Sequence, residues 1–542
     1  MSISRRSLLA GGTGVVGACG ASDDAAPPPV DEGVPPPPAP VDPHEPRSNG
    51  REPLNVLIVL TDDQRWDSFG FMGHPFLTTP HLDRIARDGT WFSNAFVTTS
   101  LCCPSRATML SGVYAHTHGV VNNTSELAAS WPTFATLAQR AGVDTCYIGK
   151  WHMGGHTPEP RPGWSTWMSF RGQGQYHYPG GPRVPPYDRG MDFDGRFQQM
   201  DGYVTDFLTE LAVDWLAKRT STRPFCMVVG HKACHAPFEP APRHAEAFAE
   251  AVVPEPLPDT EEAYEGLPEW LRRQRDTLFG VDEPYRKWPD FRSWYLDYHR
   301  TLLAVDEGVG RLLATLEDRG LLDRTLVLFL SDNGFMHGEK GTLDKRCFYE
   351  PSIRVPWLAL APRGGGRGPL PEMVLNLDVA PTVLDALGLE PAPTMQGRST
   401  LPLILGDPVH RWRTDFLYEY FFEKQFPSTP TVVGVRTATH KLSTYHGVWA
   451  ADELYDLRSD PAERDNLAAA QPQRRRNMGQ RLRRLMQETG LQLQPTWGEA
   501  QHDAALRPQP NLPKRRAPPG QAEGAEGSPD HHHDGEHDPG DG

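Results

Sequence analysis

The sequence predicts an α/β protein, with a large mixed, mostly parallel sheet sandwiched by helices and a smaller C-terminal antiparallel sheet carrying a packed helix. Three observations predict it. Residues 54–60 (LNVLIVL) and 326–330 (LVLFL) are apolar almost without interruption, as strands buried on both faces of a parallel sheet are. Strand-like runs alternate with longer amphipathic stretches, such as 204–218 and 294–319, which is the pattern of a βα-layered architecture. Around His410 the texture changes: 416–422, 432–436 and 441–445 read as short strands, and 471–489 as a charged amphipathic helix.

Taken in order, residues 1–20 place Arg5-Arg6 ahead of a short, weakly apolar segment, which resembles a twin-arginine export signal. The apolar run is too short to span a bilayer. Val16-Gly17-Ala18-Cys19 also resembles a lipobox, with Cys19 as the lipid-bearing residue. The protein is therefore expected to be exported, periplasmic or at the cell surface, meeting a membrane only through that anchor. Residues 21–50 are rich in proline and form an extended linker. The main domain is expected over 51–405 and a C-terminal subdomain over 406–495, with 376–387 (NLDVAPTVLDAL) starting as a strand and passing into a helix. Residues 496–542 turn polar and end with His531, His532, His533 and His537 among acids, a solvated, disordered tail with at most weak affinity for divalent metal.

A chain of 542 residues that is 38% hydrophobic can bury a substantial core. Its net charge of −15 and lack of a basic stripe exclude a nucleic-acid partner and give no long-range attraction for a polyanion, so recognition of an anion must be local. Seven cysteines are present; with Cys19 and Cys102 set aside, an odd, scattered remainder does not make a disulfide framework.

Both apolar runs end in acidic pairs: Asp62 and Asp63 after the first, Asp332 and Asn333 after the second. Ligands of open α/β sheets gather beyond the carboxyl ends of strands. Three carboxylates and an amide oxygen suit a hard cation, Ca²⁺ or Mg²⁺. Either pair alone reads as a turn or a helix cap; the neighbouring motif decides between the readings.

That motif is CCPSRATMLSG, residues 102–112, which fits Cys-x-Pro-Ser-Arg followed after three residues by Leu-x-Gly. It resembles the signature of the type I sulfatases, in which the first Cys is oxidised to formylglycine. The stretch 113–124 (VYAHTHGVVNNT) continues the resemblance toward N-acetylglucosamine-6-sulfatases and extracellular endosulfatases. The resemblance covers about 55–488 and implies an alkaline-phosphatase-like fold. It implies that Cys102 is converted to 3-oxoalanine by a formylglycine-generating enzyme. The aldehyde hydrates, one hydroxyl attacks sulfur and expels the alcohol, and the second regenerates the aldehyde as sulfate leaves. It also implies Asp62, Asp63, Asp332, Asn333 and the modified Cys102 as ligands of calcium or magnesium, which would polarise the ester. Pro104 and Ser105 are expected to open a helix whose end favours anions, and Arg106 to hold the hydrate. Twin-arginine export of folded protein would require the oxidation to precede folding in the cytoplasm.

The remaining site residues come from further matched segments. Gly149-Lys150-Trp151-His152 resembles the family's sulfate-contacting GKWH, so Lys150 and His152 are assigned there. His231 to Pro237 (HKACHAP) resembles a segment whose last His, here His235, faces the leaving oxygen. Lys345 in DKR matches a sulfate-binding lysine. His235 is expected to protonate the leaving alcohol, assisted by Lys345. One departure is visible: relatives read Gly-Glu-His-Gly where this chain has Gly338-Glu339-Lys340-Gly341, and His337, nearby but out of register, is assigned no role.

The expected substrate is a sulfated carbohydrate. Asn122 and Asn123 follow the motif in the manner of glucosamine-6-sulfatases, which makes 6-sulfated N-acetylglucosamine, or a glycosaminoglycan, the leading guess. Tyr176, His177 and Tyr178 suit either sugar stacking or loop packing. Two other readings stay open: a formylglycine-dependent phosphonate monoester or phosphodiester hydrolase, and a non-catalytic exported glycan-binding lipoprotein with unmodified Cys102.

Overall fold

Asn55–Thr61 forms strand β1, and its alternate side chains enter two separate cores: Val56, Ile58 and Leu60 one, Leu57 and Val59 the other. All seven residues are buried, so the strand has no polar face to show in its sequence. The structure, a computed structural model, describes residues 45–493 except 154–156, 181–184, 186–187, 276, 283–289, 363–365 and 449–450. The expected export signal over 1–20, Cys19, the linker as far as residue 44 and the His-rich tail over 496–542 lie outside the described residues. Among the described residues no helix is long and apolar enough to cross a membrane.

The strands that follow are β2 (Thr90–Phe96), β3 (Asp144–Lys150), β4 (Thr166–Phe170), β5 (His177–Tyr178), β6 (Gly190–Phe193), β7 (Arg196–Gln199), β8 (Gly202–Tyr203), β9 (Phe225–Gly230), β10 (Thr325–Ser331), β11 (Trp357–Leu360), β12 (Gly368–Leu375), β13 (Asp415–Tyr420), β14 (Thr431–Thr437), β15 (His440–His446) and β16 (Glu453–Asp456). Ten of them make one sheet in the order β12-β2-β11-β10-β1-β9-β3-β4-β6-β7. Its centre, β10-β1-β9-β3-β4, is parallel, and β11, β6 and β7 run antiparallel to their neighbours. β13 to β16 make a separate four-stranded antiparallel sheet.

The helices are α1 (Pro80–Asp88), α2 (Cys102–Ser111), α3 (Ala115–His118), α4 (Phe134–Arg140), α5 (Val204–Lys218), α6 (Glu269–Gln274), α7 (Phe291–Asp318), α8 (Glu350–Ile353), α9 (Val379–Ala386), α10 (Leu401–Leu405) and α11 (Pro472–Thr489). α1, α5 and α7 cover one face of the large sheet, sharing a core with Leu57, Val59 and Phe329. α2, α4 and α9 cover the other, with Val56, Ile58 and Leu328. The small sheet extends this second core through Phe416, Tyr418 and Val433, and Phe96 stacks on Phe416 at 5.2 Å. α11 lays Met478, Leu482 and Leu485 onto the small sheet at helical spacing and turns its arginines outward.

Two local expectations need correction. Residues 376–378 are a 3-10 turn, the strand having ended at Leu375. The turn leaves the Asn376 side chain free to bond Thr98 and Ser105, which a strand register would not. α2 begins at Cys102, two residues before the expected opening at Pro104, which lies in its first turn as expected.

Candidate active site

β1 and β10 pair in parallel with Thr61 opposite Ser331, so both acidic pairs leave neighbouring strands at the same edge. β9 and β3 end alongside and deliver Lys232 and His235, and Lys150 and His152. The segment after β2 leads into Cys102, the first residue of α2. Gly149 permits this crowding: at φ +102 it passes so close to β9 that a Cβ would lie 2.0 Å from the Gly230 carbonyl oxygen.

Cys102 is fully buried, its Sγ 3.7 Å from Asp62 Oδ1. Arg106, one turn along α2, donates from Nε to Asp332 Oδ2 at 2.7 Å, from Nη2 to Asp62 Oδ2 at 2.9 Å and from Nη1 to the Lys150 carbonyl at 2.8 Å. The Lys150 ammonium pairs with Asp62 and donates to Gln173 Oε1. Lys345 Nζ donates to Asp63 Oδ2 at 2.8 Å. His235 Nε2 lies 3.9 Å from Asp63 Oδ2, buried and without a hydrogen-bond partner among the described residues. All ten assigned residues from 62 to 345 thus meet at one sheet edge: Asp62, Asp63, Cys102, Arg106, Lys150, His152, His235, Asp332, Asn333 and Lys345.

The carboxylates differ electrostatically. Burial opposes charge on Asp62, yet Lys150 and Arg106 hold its carboxyl well below the usual range. Burial prevails at Asp63, pushed up to about 7 despite Lys345, and Asp332 is also raised by burial and by Asp62. Burial, with Lys345 and Lys150 close by, keeps His235 well below the usual imidazole range; burial and Lys150 do the same to His152.

These residues fit a hard cation. Asp62, Asp63 and Asp332 bring one carboxylate oxygen each within 4.8 Å of one another. Asn333 donates from Nδ2 to Asp63 Oδ1 at 2.6 Å, while its Oδ1 is buried with no partner among the described residues, an acceptor suited to a positive group. Asp63 sits at φ 59, held there by its N–H on Asp332 Oδ1 at 3.1 Å and by Tyr298, whose hydroxyl donates to its carbonyl at 2.8 Å.

Gln173, Lys232 and Tyr298 were given no role from sequence. Lys232 lies inside the matched HKACHAP segment, but both it and Gln173 are recognisable only once the strand ends meet. Lys232 is buried over the Tyr176 ring, and burial, then Lys150, brings its ammonium down to about 7. Tyr176 and Tyr178 are buried, and the Tyr176 hydroxyl donates to the His235 carbonyl at 3.0 Å, so both pack the loop and neither offers a free stacking face. Asn123 accepts from the Cys103 N–H at 3.1 Å and holds the first turn of α2. Lys340, at the departure from the family pattern, donates to the Glu463 carbonyl and lies over Tyr349, so it serves the junction with the small sheet. His337 lies in an aromatic cluster with Trp294, Tyr295 and Tyr298.

Comparison with known proteins identifies the family. The family profile described as "Sulfatase" matches residues 54–389, and that described as "N-sulphoglucosamine sulphohydrolase, C-terminal" matches 338–490. The chain is 31% identical over 476 residues to an N-acetylglucosamine-6-O-sulfatase of Bacteroides thetaiotaomicron, covering 76% of this chain and 82% of that protein. It is 33% identical over 407 residues to the N-acetylglucosamine-6-sulfatase of Homo sapiens, covering 70% and 69%. A structure solved with its substrate D-glucosamine-2-N,6-O-disulfate superimposes with a TM-score of 0.71 at 28% identity, over 81% of this chain and 98% of that one. The phosphonate monoester hydrolase of Agrobacterium radiobacter shares the fold, with a TM-score of 0.66 at 24% identity over 80% of this chain and 96% of that one. The alkaline-phosphatase-like sheet, the Cys102 motif and these matches lead to one conclusion: the chain belongs to the sulfatase family and is a sulfuric ester hydrolase.

Proposed function

We propose that the chain removes the 6-O-sulfate of a glucosamine-containing glycan, with Cys102 as the oxidised nucleophilic residue. The observation that carries the reading is the ring of cationic and neutral nitrogen groups around Cys102, at the edge where three carboxylates converge. The glucosamine part rests on the relatives, two named for N-acetylglucosamine 6-sulfate and one solved with a disulfated glucosamine.

Asp62, Asp63, Asp332 and Asn333 would hold Ca²⁺ or Mg²⁺, which supplies Lewis-acid polarisation of the sulfate and lowers the pKa of the attacking hydroxyl. The formylglycine hydrate would supply that hydroxyl and the second one that lets sulfate leave. Arg106 orients the first turn of α2 against Asp62 and Asp332 and keeps their charge compensated. Lys150, His152 and Lys345 bind the sulfate oxygens. His235 Nε2 gives the leaving alcohol its proton: burial, and after it Lys345 and Lys150, depress this imidazole, and a bound sulfate offsets the two lysine charges. His235→Ala should therefore slow poor alcohol leaving groups far more than a nitrophenyl sulfate; equal slowing of both would remove His235 from the role.

The deciding experiment measures sulfate release from a panel of sulfated monosaccharides and glycosaminoglycan fragments, beside Cys102→Ala and beside an aryl phosphonate. Release from 6-sulfated glucosamines that is absent in the variant supports the reading. Faster turnover of the phosphonate, or release unaffected by Cys102→Ala, overturns it. Export through the twin-arginine segment belongs to the same proposal and is tested by fractionating cells that express Arg5→Lys/Arg6→Lys.

A further inference from the structure

Gln173 joins the two groups assigned to the sulfate. An ammonium carries only donors, so Lys150 Nζ must face the amide oxygen, as it does. That orientation turns the amide nitrogen toward His152 Nε2, at 3.0 Å. An amide NH₂ only donates, so Nε2 must accept. The ring proton then sits on Nδ1, which is buried and has no hydrogen-bond partner among the described residues. A buried N–H without a partner is costly unless a ligand supplies the acceptor. The residue carrying the ring is itself fixed: His152 adopts φ 60, and its carbonyl accepts from Cys103 Sγ at 2.6 Å, next to the first turn of α2.

We propose that Gln173 is a positioning residue that locks neutral His152 in the Nδ1–H tautomer, so that the ring offers one preset donor to a sulfate oxygen. The proposal rests on the reading that Lys150 and His152 contact sulfate. The opposite tautomer would set an imidazole N–H against the amide NH₂, and an imidazolium would do the same beside the Lys150 and Arg106 charges. Gln173 thus couples the two contacts: the side chain that receives the lysine proton also dictates which imidazole nitrogen carries hydrogen.

The test uses the full-length protein labelled with ¹⁵N in its histidine rings. The His152 resonance is identified by its loss in His152→Ala, and sulfate affinity is titrated with inorganic sulfate. The wild type should show an Nδ1–H, Nε2-acceptor ring. Gln173→Leu should release it to a tautomer mixture and weaken sulfate binding about tenfold, the worth of one hydrogen bond to a charged group. Gln173→Glu presents only acceptors and should move the proton to Nε2 or protonate both nitrogens. An Nε2–H ring in the wild type, or an unchanged tautomer in both variants, overturns the proposal. If His152→Ala leaves sulfate affinity untouched, the sulfate-contact reading fails instead, and the tautomer result still stands separately. Unfolding midpoints within a few degrees of wild type confirm that the variants are folded.

Discussion

Arg106 spans Asp332, Asp62 and the Lys150 carbonyl with three directed hydrogen bonds, a geometry that a planar guanidinium provides and an ammonium does not. Arg106→Lys should keep the charge and lose at least one bond, lowering kcat by roughly a hundredfold, as steady-state assays would show. Arg106→Ala leaves two buried carboxylates short of a partner and should cost about 3–5 kcal/mol in urea unfolding. Asn333 supplies a second test at this scale. If its orphaned Oδ1 is a cation ligand, millimolar Ca²⁺ or Mg²⁺ should raise the unfolding midpoint of the wild type, by about 2.7 kcal/mol at a hundredfold excess over Kd. Asn333→Leu should lose most of that increment, and an undiminished increment would count against the site.

At the scale of elements, α2 is seated by residues far along the chain. Asn376 donates to Ser105 Oγ at 2.9 Å and accepts from the Thr98 N–H and hydroxyl at 3.1 and 3.2 Å. Asn376→Leu leaves these buried groups unpaired, and should cost about 1–3 kcal/mol and lower kcat by displacing Cys102 while leaving every pocket side chain intact. Much of this level was legible beforehand. The runs at 54–60 and 326–330 announced buried strands because both their faces are covered, and helix α5 was expected over the residues it occupies. The positions of Asp62, Asp63, Cys102, Lys150, His235, Asp332 and Lys345 could be named because strand ends and a matched motif carry them. What stayed hidden was cross-strand in origin. Gln173 acquires meaning only through Lys150 and His152, and the 3-10 turn at 376–378 is paired with a segment about 270 positions away, which no local pattern encodes. The antiparallel insertion of β11 between β2 and β10 likewise follows from packing.

At the scale of the whole molecule, the buried His118 and His299 and the half-buried His74 should make the fold acid-labile. The His299 Nδ1–H donates to the Tyr295 carbonyl at 2.8 Å, its Nε2 meets His74 Nε2 at 3.1 Å, and His74 Nδ1 accepts from the Leu77 N–H at 3.1 Å. His118 Nδ1 accepts from the Val120 N–H at 3.1 Å while Nε2 lies 3.0 Å from the Thr108 hydroxyl. Every ring nitrogen is committed with the imidazoles neutral. Burial lowers His74 to about 4 and His118 and His299 to about 3. These folded values lie below the ordinary 6.5, so the unfolded chain binds more protons. The stability from these rings is present above about pH 6.5 and drains as the pH falls toward 3–4, by up to about 1.4 kcal/mol per pH unit for each histidine. Urea unfolding between pH 7.5 and 5 should show this slope, and His118→Gln should reduce it; a flat profile would refute the assignment.

The burial of Cys102 also sets a clock. Its thiol is wholly enclosed, and the wall that encloses it includes Asp62, contributed before it, and Arg106 locked on Asp332, contributed long after it. Asp332 follows Cys102 by 230 positions. At synthesis rates of about 5–20 residues per second, β10 leaves the ribosome roughly 10–50 s after the motif does. Until β10 docks against β1, the motif stays in an unfinished pocket. On the proposal that Cys102 is oxidised, a modifying enzyme would work within a window of roughly tens of seconds, and slowing translation between residues 112 and 325 should raise the oxidised fraction of Cys102, read by mass spectrometry of that peptide.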